Sequence, residues 1–99
     1  MNANDIRVGF SLNATDYNTI RQFAHSVVEA LGLPEQLFLR KVADHNCKLL
    51  HDGNCIEERN FLRSAGLVDV DGLFIVPTFH GSLVITQLLK QGKEQCLTK

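Results

Sequence analysis

The feature that most narrows what this chain can fold into is the pair Asp71-Gly72, set between two apolar runs, Leu67-Val68-Asp69-Val70 and Leu73-Phe74-Ile75-Val76. An Asp-Gly pair between β-branched runs suits a type I′ turn, whose twist matches that of the strands it joins. The sequence therefore predicts a β-hairpin over residues 67–76, closed by Pro77. A hairpin alone is marginal in water, so its apolar side chains have to be covered by other elements.

Those elements are read from the spacing of apolar residues. Residues 6–13 alternate strictly, with Ile6, Val8, Phe10 and Leu12 on one side and Arg7, Gly9, Ser11 and Asn13 on the other. This period of two predicts a half-buried strand. Tyr17, Ile20, Phe23, Ala24, Val27, Val28 and Leu31 recur at three and four, predicting a helix capped by Asn13 or Thr15 and ended by Gly32. A second helix is expected over residues 34–51, from Pro34 to His51-Asp52-Gly53, with a weak point at Asp44-His45-Asn46, three residues of poor helix propensity.

A third helix is expected over residues 54–65, with Asn54 as its N-cap, Glu57 and Glu58 favouring the positive end of its dipole and Gly66 as its stop. Cys55, Phe61, Leu62 and Ala65 would be its buried side. Thr78 caps a last helix with Leu83, Val84, Leu88 and Leu89 on its inner face, before Gly92 and a polar tail expected to be flexible over residues 93–99. The segment 6–13 has no local partner, so it is expected to join the hairpin as a third strand. The predicted fold class is α+β, in the order β-α-α-α-β-β-α, with a small antiparallel sheet packed on helices.

At 99 residues and 44% hydrophobic content the chain fits one domain over residues 1–99, with no repeat or linker and enough apolar material for a core without metal or disulfide. Three cysteines, Cys47, Cys55 and Cys96, and a beginning without the pattern of an export signal lead to the expectation of a reduced, cytoplasmic protein. No apolar run approaches the roughly 20 residues a membrane helix needs. The formal charge of −1, from 10 Lys and Arg against 11 Asp and Glu, means that nucleic-acid binding would have to rest on local charge.

From residue 54 to residue 89 the chain resembles the back half of many bacterial winged-helix regulators. In that family a leucine, a small residue, glycine and leucine end the recognition helix, and a threonine with a following glycine starts the closing helix. Leu62, Ala65, Gly66 and Leu67 match the first phrase, and Thr78 and Gly81 the second. The resemblance covers a little over a third of the chain and uses residues that any tight helix-hairpin-helix unit favours. It implies a winged-helix-like domain whose recognition helix is 54–65 and whose wing tip is Asp71-Gly72, with Arg59, Asn60, Arg63 and Ser64 facing the groove.

The implied function is a small cytoplasmic DNA-binding transcriptional regulator. Arginine and asparagine can read guanine and adenine edges, and Ser64 or Lys48 could hold phosphates. Glu57 and Glu58 at the head of that helix, and Asp69 and Asp71 on the wing, depart from the family's usual basic character. The alternative is a protein-interaction module or adaptor on the same fold, using the Arg59 and Arg63 face or the apolar hairpin around Phe74 and Val76. A homodimer is a further expectation, because the hairpin is apolar on both faces. A positive stripe joining Arg40, Lys41, Lys48, Arg59 and Arg63 would favour DNA, and an apolar patch around Phe74 and Val76 a protein.

No enzyme chemistry is expected. His45, Cys47, His51 and Cys55 are the one cluster of metal-type ligands, but they lack a paired C-x-x-C knuckle, so no metal and no cofactor is predicted. Cys47 and Cys55 are expected to pack as small hydrophobes. A Cys47–His51 nucleophilic pair would leave Cys47 mid-helix, away from any helix N-terminus. His25 and His80 read as boundary residues. No phosphate loop, dinucleotide fingerprint or nucleophile elbow is present.

Overall fold

The computed structural model describes residues 1–50, 53 and 55–97, with side chains as far as Gln91. The elements are α1 (Ala3–Leu12), α2 (Tyr17–Ala30), α3 (Leu33–Asp44), β1 (Leu49–Leu50), α4 (Ile56–Ser64), β2 (Val68–Asp71), β3 (Phe74–Pro77) and α5 (Phe79–Leu97). The chain is thus an α+β domain with five helices and a three-stranded antiparallel sheet among the described residues. The order is α-α-α-β-α-β-β-α, which corrects the predicted one in its first element and directly after α3.

The first correction is that residues 6–13 are not a strand. Ile6 and Phe10, both fully buried, are four residues apart, a spacing that a helix satisfies as well as a strand does. The ends decide between the two. The Asn2 side chain accepts a hydrogen bond from the Asp5 amide at 2.8 Å, and the Asp5 carboxylate accepts one from the Asn2 amide at 3.5 Å. That is a reciprocal capping box. At the other end the Asn13 amide and side chain both donate to the Gly9 carbonyl, at 3.0 and 2.7 Å. Val8 and Leu12, inward on a strand, are 44% and 74% exposed.

In α2 the periodic stripe is buried as expected at Ile20, Ala24, Val27 and Val28. Its cap is Asp16 rather than Asn13 or Thr15. The Asp16 carboxylate accepts from the Thr19 amide at 2.8 Å and the Thr19 hydroxyl at 3.1 Å. These donors, the amide first, hold its carboxyl below the ordinary range. Gly32 is the N-cap of α3, and the Gln36 side chain donates back to the Val28 and Leu31 carbonyls at 3.0 and 3.1 Å.

The second correction concerns residues 34–51. α3 stops at Asp44, at the predicted weak point, because Asn46 and Cys47 take left-handed conformations with φ of +57° and +61°. A helix cannot pass through two such residues. Leu49 and Leu50 then pair with Ile75 and Phe74, so β1, not residues 6–13, is the third strand. The predicted helix end at His51 and Asp52 and the Asn54 cap lie outside the described residues. Within them, Cys55 occupies the N-cap of α4 with φ +55° and no side-chain bond.

α4 ends as expected at Gly66, with φ +77°. Leu67 donates to the Leu62 carbonyl at 2.9 Å and Gly66 to Arg63 at 3.0 Å, the paired bonds of a Schellman motif. The hairpin is present but shifted by one residue. Asp71 pairs with Phe74, so the loop is Gly72-Leu73, and only Gly72 has positive φ, at +62°. This is the pattern of a type II′ turn rather than the predicted type I′. It places glycine at the strained position and spares Leu73 a left-handed conformation that would cost about 1–2 kcal/mol.

Thr78 caps α5, accepting from the Gly81 amide at 3.1 Å through its hydroxyl oxygen. The same hydroxyl donates to the Gly66 carbonyl, and the Thr78 amide donates to the Leu67 carbonyl at 3.1 Å. A Cβ on Gly81 would run into that Leu67 carbonyl, so α5 approaches the end of α4 at glycine contact. Leu83, Val84 and Leu88 are buried as expected, Leu89 is 40% exposed, and α5 continues past Gly92 to Leu97. Around these, α2 packs on α5, α3 on α4 and α5, and α1 on α2 and α4. Phe10 stands edge-on to Phe23 at 4.9 Å between ring centroids and stacks on His80 at 4.4 Å.

Candidate interaction surface

The sheet order β1-β3-β2 and its register divide the strand residues between two faces. Leu49, Ile75 and Val70 share one face with Val68, and Leu49, Ile75 and Val68 belong to the core. Leu50, Phe74 and Asp71 line up on the other face, followed by the pair Val76 and Asp69. On that outer face Leu50 is 54% exposed, and Phe74 and Val76 are half-buried. The Lys48 ammonium lies 5.3 Å from the Phe74 ring centroid, within cation–π range. The outer face therefore has an apolar middle with a cation at the β1 edge and carboxylates at the β2 edge.

α4 leads into β2 and packs against it, and it carries four of the five residues predicted to meet a groove. Asn60, Arg63 and Ser64 are exposed, and Arg59 is half-buried. The Arg59 guanidinium donates to the Asn60 side-chain oxygen at 3.0 Å, while its buried Nε has no partner among the described residues. Arg63 reaches the Asp69 carboxylate at 3.9 Å, with both side chains more than half exposed. Such a pair contributes at most about 1 kcal/mol. Lys48, the fifth residue, is not with them. It belongs to the β1 edge, two strand spacings or roughly 10 Å from β2.

Lys48 is separated from the α4 groups by the width of the sheet. Around α4 and the hairpin, Glu57, Glu58, Asp69 and Asp71 outnumber Arg59 and Arg63, and both arginines already face neighbouring oxygen acceptors. What the structure assembles instead is the apolar patch. Sequence reasoning missed Leu50 as part of it because residues 34–51 read as one helix. The signal that could have found it is the run Asp44-His45-Asn46, which is a stop as readily as a bend.

Cys47 and Cys55 are exposed, contrary to the expectation that they pack inside, because each sits in a left-handed turn next to a helix end. Cys47 is therefore past the end of α3, not mid-helix, and His45 is held to the Lys41 carbonyl at 2.8 Å. His51, the other member of the proposed ligand cluster, lies outside the described residues, and among those described no group of three ligands could hold a metal. No described helix is long and apolar enough to cross a membrane. In comparisons with known proteins, the chain matches no family model, no curated protein and no solved structure.

Proposed function

We propose that the chain is a protein-interaction module on a winged-helix-like fold, and that the outer face of its sheet docks a second copy of the same chain. The observation that carries this reading is the layout of that face: Lys48 at one edge, Leu50, Phe74 and Val76 in the middle, Asp69 and Asp71 at the other edge. A two-fold axis parallel to the strands exchanges the two edges. It brings each Lys48 over the partner's carboxylate edge and lays one apolar centre on the other, so the surface is complementary to itself.

The size of the face sets the strength. Three strands of up to four residues give a footprint of roughly 14 by 14 Å. Even with Leu73 and the flanking side chains this falls at the low end of specific interfaces, below about 1,200 Å² in total. The association is therefore weak and concentration-dependent. Sedimentation velocity over a concentration series should show a monomer–dimer equilibrium. Lys48→Asp should shift it to monomer, and Lys48→Asp combined with Asp71→Lys should restore it. A monomer at every concentration would remove the reading.

The second reading is a DNA-binding regulator, and the order of elements favours it. α4, the hairpin and α5 follow in sequence, as the resemblance over residues 54–89 implies, although β1 stands between α3 and α4. Against it stand the carboxylates around α4 and the long connection over residues 45–55, where a helix-turn-helix has a turn of about 3–4 residues. A fluorescence-anisotropy titration with mixed short duplexes at low and near-physiological salt separates the two. The interaction module should not bind even at low salt. Binding that falls steeply with salt and is weakened by Arg59→Ala and Arg63→Ala would establish the regulator instead.

A further inference from the structure

A cavity of about 500 Å³ lies between α2 and α5, away from the sheet, and its polar lining has no role in the interaction reading. Arg21 and Gln22 line it from α2, and Gln87, Lys90 and Gln91 from α5. Its volume falls within the roughly 300–1,000 Å³ of small-molecule sites, but its lining is far more polar than that of most of them. Two cations face it from opposite walls. Arg21 lies with its guanidinium 5.8 Å from the Tyr17 ring centroid, and no described carboxylate is within ion-pair distance of Arg21 or Lys90.

The second observation is Gln87. It is only 8% exposed, it is the one buried polar residue among those described, and it lines this cavity with no described hydrogen-bond partner for its amide. Its amide meets solvent in the cavity rather than being sealed off unpaired, so it can donate to a ligand oxygen that takes the place of water. His25 is already engaged. Its Nδ1 meets the Gln91 amide at 3.3 Å and its Nε2 meets Glu29 at 3.2 Å. The His25–Gln91 contact ties α2 to α5 at the cavity wall, and Arg21, Lys90 and Gln87 face an incoming molecule together with Gln22 and Ser26.

We infer that this cavity binds the phosphate of a small phosphomonoester, with Arg21 and Lys90 clamping the anion from the two helices and Gln87 donating to one of its oxygens. A phosphomonoester carries close to two negative charges at neutral pH and offers three acceptor oxygens, which matches two cations and an amide donor better than a single carboxylate does. The space beyond one phosphate leaves room for the polar body of the molecule. The site does not depend on self-association, and its failure would leave the sheet-face reading untouched.

The test is a titration of the full chain, followed by NMR of the Gln87 and Gln91 side-chain amides at constant ionic strength. Inorganic phosphate should give saturable shifts at both amides, and a hexose 6-phosphate should bind more tightly than phosphate does. Arg21→Ala and Lys90→Ala should each weaken binding by about tenfold, as expected for loss of a charge-assisted hydrogen bond. Gln87→Leu should weaken it several-fold while the protein still melts cooperatively, and Lys41→Ala, on α3, should leave it unchanged. Shifts that rise without saturating, equal loss in Lys41→Ala and Arg21→Ala, or no gain from the hexose ester would overturn the site.

Discussion

Two segments of this chain carry apolar patterns that predict strands, and they fold in opposite ways. Residues 6–13 alternate apolar and polar and form the helix α1; residues 67–77 carry two short apolar runs and form the hairpin β2–β3. The difference lies at their boundaries. α1 has a capping box at Asn2 and Asp5 and a closing Asn13, while the hairpin has a Schellman stop at Gly66 and a positive-φ glycine at its tip. A pattern of two that places apolar residues four apart is compatible with both structures, and the end groups choose between them.

The contrast can be broken most directly by truncating side chains on α1. Phe10→Ala should cost about 3–5 kcal/mol in denaturant unfolding, because Phe10 is fully buried between Phe23 and His80. Val8→Ala should change stability by less than about 0.5 kcal/mol, since Val8 is 44% exposed. Equal losses at the two positions would restore the strand, whose inner side both would share. At the hairpin end, Gly81→Ala should cost roughly 1–3 kcal/mol by forcing α5 off the Leu67 carbonyl. Heat or urea melts that leave this variant unchanged would show that the clasp between α4 and α5 is looser than drawn.

Smaller changes sharpen the role of the ends. Asn2→Ala removes the α1 cap and should cost about 1 kcal/mol, and Gly72→Ala should cost a similar amount, roughly 1 kcal/mol, through its positive φ. Asp16 gives the smallest effect, and that effect depends on pH. Its carboxyl is held below the ordinary range by the Thr19 amide and hydroxyl, so the capped form is favoured above the unfolded-state pKa and that support is lost as pH falls through the lower folded value. Asp16→Asn keeps a capping oxygen but cannot titrate, so its melting temperature should fall less than the parent's across that acid window. Parallel acid limbs for the two proteins would exclude Asp16 as a contributor.

The candidate sites were legible in the sequence to different degrees. Arg59, Asn60, Arg63 and Ser64 could be grouped because they share one helix, and the helix formed where its stop at Gly66 said it would. The sheet face was half visible: Phe74 and Val76 follow from the hairpin, whereas Lys48 and Leu50 join them only because the chain leaves α3 through two left-handed residues. The α2–α5 cavity was not visible at all. Arg21 and Lys90 are ordinary surface cations until two helices far apart in the chain bring them to one groove.

By itself the sequence determined the α+β class, the α2 stripe, the stop of α4, the hairpin and the Thr78 cap of α5, because each depends on side chains within a few residues of one another. Only the tertiary structure decided that Leu49 and Leu50 complete the sheet and that Gln87 lines one cavity with Arg21 and Lys90. Those outcomes depend on which distant surface covers a segment, and burial against a partner is a term that local spacing does not contain.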